Sequence, residues 1–142
     1  MKKIILILAL QMAVFCLFAQ NFDQYFENKT VRIDYKHIGD SRSESIEVVN
    51  HYVGKEGTGT FTHLVEPQRK GSLLFELFDA LTGELIYSRS NDCLFYEYRT
   101  TERGEKEVGI FEECVRFPMP KRMAKYKFTG FNRKNQPTEI YQ

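Results

Sequence analysis

Thiol and imidazole chemistry is sparse in this chain, which has three cysteines, Cys16, Cys93 and Cys114, and three histidines, His37, His51 and His63. A catalytic Cys114 would need a histidine as base and surroundings that lower its pKa. In FEECVRFPMPKR, residues 111–122, it is instead flanked by Glu112 and Glu113, whose charge opposes thiolate formation. None of the histidines belongs to HExxH or another close pair of the kind that holds zinc, so they read as surface or strand-end imidazoles.

Other constellations are equally thin. Asp79 and Glu84 flank Thr82-Gly83, but two acids fall well short of the about six to eight oxygens that calcium takes, and turn chemistry explains them better. Gly57-Thr58-Gly59-Thr60 suggests a phosphate cradle, yet no GxxxxGK[ST] and no helix start follow, so it reads as a loop. Lys121, Arg122, Lys125 and Lys127 interleave with Tyr126 and Phe128. On a strand these two sets lie on opposite faces, so they form a solvated face and not a nucleic-acid surface. Tyr52, Phe61 and Phe95 fall in turns or on polar faces and are the candidate aromatics for stacking on a glycan or protein ligand. No catalytic residue, metal-ligand set or cofactor site is predicted.

The elements that would position these residues are mostly strands. Phe22, Tyr25 and Phe26 have helical spacing in a short segment. From there the period is two: Val31, Ile33 and Tyr35 alternate with Arg32, Asp34 and Lys36, which marks a half-buried strand closed by Gly39-Asp40-Ser41. A second candidate strand runs from Ile46 to Tyr52. Leu73 to Asp79 and Leu85 to Ser88 flank Ala80-Leu81-Thr82-Gly83 as a hairpin. Leu94, Tyr96 and Tyr98 form one face of a further predicted strand. Phe111, Val115 and Phe117 form one face of the next, which Pro118 and Pro120 would stop. Ala124 to Phe128 and Thr138 to Tyr141 complete the set. Seven or eight short strands, with twelve phenylalanines, eight tyrosines and no tryptophan, predict an all-β fold, an antiparallel β-sandwich.

Lys2 and Lys3 precede apolar runs over 4–10 and 12–18, ending at Ala19-Gln20-Asn21. That is the layout of a signal peptide over 1–19, with an apolar core shorter than the roughly 20 residues that span a bilayer, so export without a stable membrane anchor is expected. Lipidation at Cys16 is disfavoured because Phe15, not a small residue, precedes it. Removing two lysines with the leader leaves 18 cations against 19 acids, a net charge of −1 that makes no electrostatic case for a nucleic-acid partner. The remaining stretch, 20–142, reads as one domain of about 123 residues, enough to bury somewhat over 60% of its unfolded surface.

An exported chain with two mature cysteines permits oxidation. If 93–99 and 108–117 form a hairpin centred near residue 104, Cys93 and Cys114 oppose each other on one face. A bridge there would close a loop of about 20 residues and add roughly 3 kcal/mol in the chain-entropy model. The pattern favours that disulfide over two free thiols.

Phe22 with Tyr25-Phe26, KTVRIDYKHIG over 29–39, TGELIYSR over 82–89 and VRFPMPK over 115–121 resemble, in that order, the N-terminal domain of the IgA-peptidase family of secreted bacterial metallopeptidases. The resemblance implies a β-sandwich that precedes a zinc peptidase domain whose hallmark is HExxH. No HExxH occurs in residues 1–142, so the family's catalytic and zinc-binding residues have no positions to map onto. It therefore implies a periplasmic or extracellular, non-catalytic accessory domain whose partner would be a peptidase catalytic domain on another chain. The alternative is a stand-alone glycan- or protein-binding module.

Overall fold

The computed structural model describes residues 22–55, 57, 59 and 61–142. The leader expected over 1–19 lies outside the described residues.

Alternation along the first long strand organises the molecule. In β1 (Phe26–Gly39) every second residue from Val31 to Gly39 is buried, because side chains on a strand point to opposite faces in turn. β1 is the middle strand of a three-stranded antiparallel sheet in the order β2-β1-β5, flanked by β2 (Glu44–Val53) and β5 (Gly109–Pro120). The second sheet, also antiparallel, has the order β4-β3-β6-β7, formed by β3 (Leu73–Asp79), β4 (Leu85–Asn91), β6 (Ala124–Phe131) and β7 (Pro137–Tyr141).

The inner faces of the two sheets meet in one aromatic core. Tyr35 of β1 lies 4.8 Å from Phe128 of β6, and Phe117 of β5 lies 5.1 Å from Phe75 of β3, measured between ring centroids. Ile33, Phe75, Leu77 and Phe128 are at most 1% exposed. The all-β sandwich of about seven strands predicted from the pattern is therefore the fold. The short helical segment is α1 (Phe22–Tyr25). The chain over 54–72 forms neither helix nor strand among the described residues.

The β3–β4 hairpin has the turn chemistry its residues predict. One carboxylate oxygen of Asp79 accepts from the backbone N–H groups of Leu81 and Thr82, both at 2.9 Å, and Gly83 takes a φ of +73°. The other oxygen pairs with Arg122 at 3.0 Å. Burial favours the neutral acid, but the Thr82 and Leu81 amides and Arg122 outweigh it and hold the Asp79 carboxyl below its ordinary range.

One predicted strand is absent. Residues 94–98 form a helix, α2 (Leu94–Tyr98), followed by α3 (Glu102–Lys106), whose N-cap Thr101 accepts from the Gly104 amide at 3.1 Å. β5 pairs instead with β1, from Phe26 opposite Pro120 to Gly39 opposite Gly109. The helical turn puts Phe95 inward at 0% exposure and brings Arg99, four residues on, to the same side; a strand would have placed Phe95 with Cys93 on the polar face.

Replacing Ile33 or Phe128 with alanine should cost about 2–5 kcal/mol, by lost transfer energy and the cavity left behind. Replacing the exposed Leu81 or Met123 should stay within about 0.5 kcal/mol. Urea denaturation of the four variants measures the contrast.

Candidate functional site

His37 has the same strand parity as Val31, Ile33 and Tyr35, so β1 carries an imidazole into the sandwich, where it is 0% exposed. This corrects the surface or strand-end reading, which His51 and His63 do satisfy: both are exposed, and His51 meets the Tyr126 hydroxyl at 3.0 Å. The signal that could have found His37 was its position two residues past Tyr35 on the apolar face.

An imidazole without access to water needs polar partners, and the structure supplies them on both ring nitrogens. Nε2 lies 3.1 Å from Oε2 of Glu44, the first residue of β2. The Tyr96 hydroxyl donates to that same oxygen at 3.0 Å, while Arg99 donates from Nη1 to Oε1 at 3.1 Å and from Nη2 to the Ser41 carbonyl at 3.3 Å. The His37 ring stacks on Phe95 at 3.9 Å, so α2 provides the floor under the imidazole and two of the groups that hold its carboxylate. Space for that carboxylate depends on Gly130 of β6, where a Cβ would come within 2.6 Å of Glu44 Oε1.

The second nitrogen, Nδ1, faces Cys93 Sγ at 3.7 Å and Glu113 Oε2 at 3.6 Å. Neither carboxylate oxygen of Glu113 is reached by solvent; among the described residues the imidazole, the Cys93 thiol and the Tyr35 hydroxyl face them, none in ordinary hydrogen-bond geometry. Its attraction to His37 is therefore one of charge at 3.6 Å and not a hydrogen bond.

Burial raises the carboxyls of Glu113 and Glu44, but their neighbours more than reverse this. His37 and Cys93 hold Glu113 below its ordinary range, and His37, Arg99 and Tyr96 do the same for Glu44. Burial disfavours charge on His37, yet Glu113 and Glu44 together carry its pKa above the usual imidazole value.

Thiol, imidazole and carboxylate in line have the order of a nucleophilic relay. The electrostatics oppose it, because burial and the adjacent Glu113 push the Cys93 thiol up to about 12. At neutral pH it stays protonated. The same three residues, His37, Cys93 and Glu113, have ligand atoms within 4.8 Å of one another, a donor set suited to a metal ion.

The disulfide expected between Cys93 and Cys114 is not formed, and both thiols are free. The hairpin that would have opposed them does not exist. Cys93 precedes α2 as its N-cap, whereas Cys114 faces outward on β5, opposite Asp34 of β1. Of the aromatics expected to contact a ligand, Tyr52 is 46% and Phe61 49% exposed. The Arg32 guanidinium lies 4.6 Å over the Tyr52 ring, and Phe61 sits edge-on to Phe22 at 4.5 Å. Phe95 is in the interior and cannot be a ligand contact.

A shallow groove beside the cluster is lined by Cys93, Tyr96, Arg99, Asp92, Ser41 and Arg133, among others, so Cys93 joins the buried imidazole to the surface. No helix among the described residues is long and apolar enough to cross a membrane. A family model described as Peptidase M64 N-terminus matches residues 21–142. No curated protein matches the chain.

The stability due to Glu44, whose folded pKa is depressed, is complete above the ordinary carboxylate value and is lost as pH falls through the folded one. That due to His37, whose folded pKa is raised, is complete below the ordinary imidazole value and is lost as pH rises through the folded one. Urea midpoints measured against pH should peak between about 4.3 and 6.5. Glu44→Ala should cost about 3–5 kcal/mol at that peak by leaving a buried cation unmatched.

Proposed function

We propose that this chain, which belongs to the Peptidase M64 N-terminus family, is an exported, non-catalytic accessory domain that stabilises a peptidase catalytic unit or positions substrate for it. The observation that carries the reading is the extent of the family match, 21–142, which takes in all seven strands of the sandwich. Two further features support it. No HExxH occurs in the sequence, and the thiol nearest an imidazole, Cys93, is held protonated by burial and by Glu113. Export is supported by the leader-like pattern over 1–19. A glycan platform on Tyr52, Phe61 and Phe95 loses its third ring to the core.

The purified chain, supplied with zinc, should release no product from a peptide library. Added to a catalytic domain from the same peptidase family, it should co-elute in gel filtration and alter KM for a protein substrate more than kcat. Peptide hydrolysis that follows the chain through purification would refute the non-catalytic assignment. Failure to associate with the catalytic domain, together with unchanged kinetics, would refute the accessory one.

A further inference from the structure

We propose that His37 Nδ1, the Cys93 sulfur and the Glu113 carboxylate form a binding site for one divalent cation of the zinc class, which ties β1, the start of α2 and β5 together. The inference does not depend on the accessory reading, because it concerns what these three side chains do within this fold.

Geometry is the first support. A tetrahedral zinc with bonds of about 2.0–2.3 Å to nitrogen, oxygen and sulfur sets its ligand atoms about 3.4–3.6 Å apart. The separations from Nδ1 are 3.7 Å to Sγ and 3.6 Å to Oε2, and all three ligand atoms fall within 4.8 Å of one another. Ion binding would draw the Cys93 sulfur and the Glu113 oxygen together to complete the coordination triangle.

Donor chemistry is the second. Thiolate with imidazole selects borderline metals such as zinc and not calcium or magnesium, which take oxygen. The Glu44 carboxylate is placed to accept a hydrogen bond from Nε2–H, so that in the neutral ring the Nδ1 lone pair is free to face Cys93 and Glu113. A carboxylate behind a ligating histidine is the arrangement that orients the ring and raises its basicity at metal centres. Arg99 and Tyr96 in turn hold Glu44.

The third support is the setting of Glu113. Both of its oxygens are shut off from solvent and face only the imidazole, the Cys93 thiol and the Tyr35 hydroxyl among the described residues, none in ordinary hydrogen-bond geometry, so a divalent cation would match the buried carboxylate more fully. Cys93 also lines the surface groove, which offers the ion a way in. Binding displaces the thiol proton and any proton on Nδ1, both released to buffer, so uptake strengthens as pH rises.

The test uses the whole chain, stripped with a chelator and titrated with zinc and with cobalt(II). One equivalent of either should bind, and the cobalt form should show a thiolate-to-cobalt charge-transfer band. Cys93→Ser should abolish the band, Cys114→Ser should keep it, and Glu44→Gln should weaken zinc binding by about 10–100-fold. Unmutated protein gives a second readout that no folding defect can confuse: zinc should slow alkylation of Cys93 and leave that of Cys114 unchanged. Absence of stoichiometric uptake, a band that survives Cys93→Ser or is lost with Cys114→Ser, or alkylation of Cys93 indifferent to zinc, would each overturn the proposal.

Discussion

Strand β1 has a neighbour on each side, β2 through Val31 to Gly39 and β5 through Phe26 to Gly39, so it has little freedom to slip or turn over. A one-residue shift would exchange its faces and expel Ile33 and Tyr35 from the core. With that parity locked, His37 must enter the sandwich along with them. The polar interior of this protein follows from the pairing of one strand, because the register that buries two apolar residues also buries an imidazole.

Burial of the imidazole accounts for the surroundings it acquires. A titratable ring removed from water is tolerated where its nitrogens meet polar groups, and here Glu44 approaches one nitrogen while Glu113 and Cys93 face the other. Two carboxylates in a dry interior repel, so they need cations of their own. Arg99 answers Glu44 at 3.1 Å, reaching in from the residue that ends α2. Glu113 has no guanidinium among the described residues and faces the imidazole, the Cys93 thiol and the Tyr35 hydroxyl. Charge in the cluster is therefore unevenly matched, braced by a guanidinium on the β2 side and by the imidazole and neutral donors alone on the β5 side.

The helix over 94–98 belongs to the same economy of space. As a strand, this segment would have turned Phe95 outward and left the His37 ring without a floor. As a helix it supplies the stacking ring, the Tyr96 hydroxyl and the Arg99 guanidinium from one short stretch. Its N-terminal boundary also decides the fate of the cysteines. Cys93 is drawn to the imidazole, and Cys114, on the outer face of β5 with Glu112 and Arg116, has no thiol opposite it.

Local pattern alone determined the strands whose alternation is regular, β1, β3 and β6, and the β3–β4 hairpin with Asp79 and Gly83 at its turn. Those features depend on neighbours in sequence: a period of two, a side-chain acceptor for the turn amides and a residue tolerant of positive φ. Tertiary structure decided what periodicity leaves open. Leu94 to Tyr98 alternates as a strand would, yet packs as a helix because β5 is paired with β1 and the space beneath His37 accepts Phe95. The cluster joins residues 37, 44, 93, 96, 99 and 113, and the order in which strands pair is a property of the whole core that no segment of the chain encodes by itself. His37 stood midway between the two kinds of information. Its parity was readable in β1, but its partners came from β2, α2 and β5, and without them a lone histidine on an apolar face has no assigned chemistry.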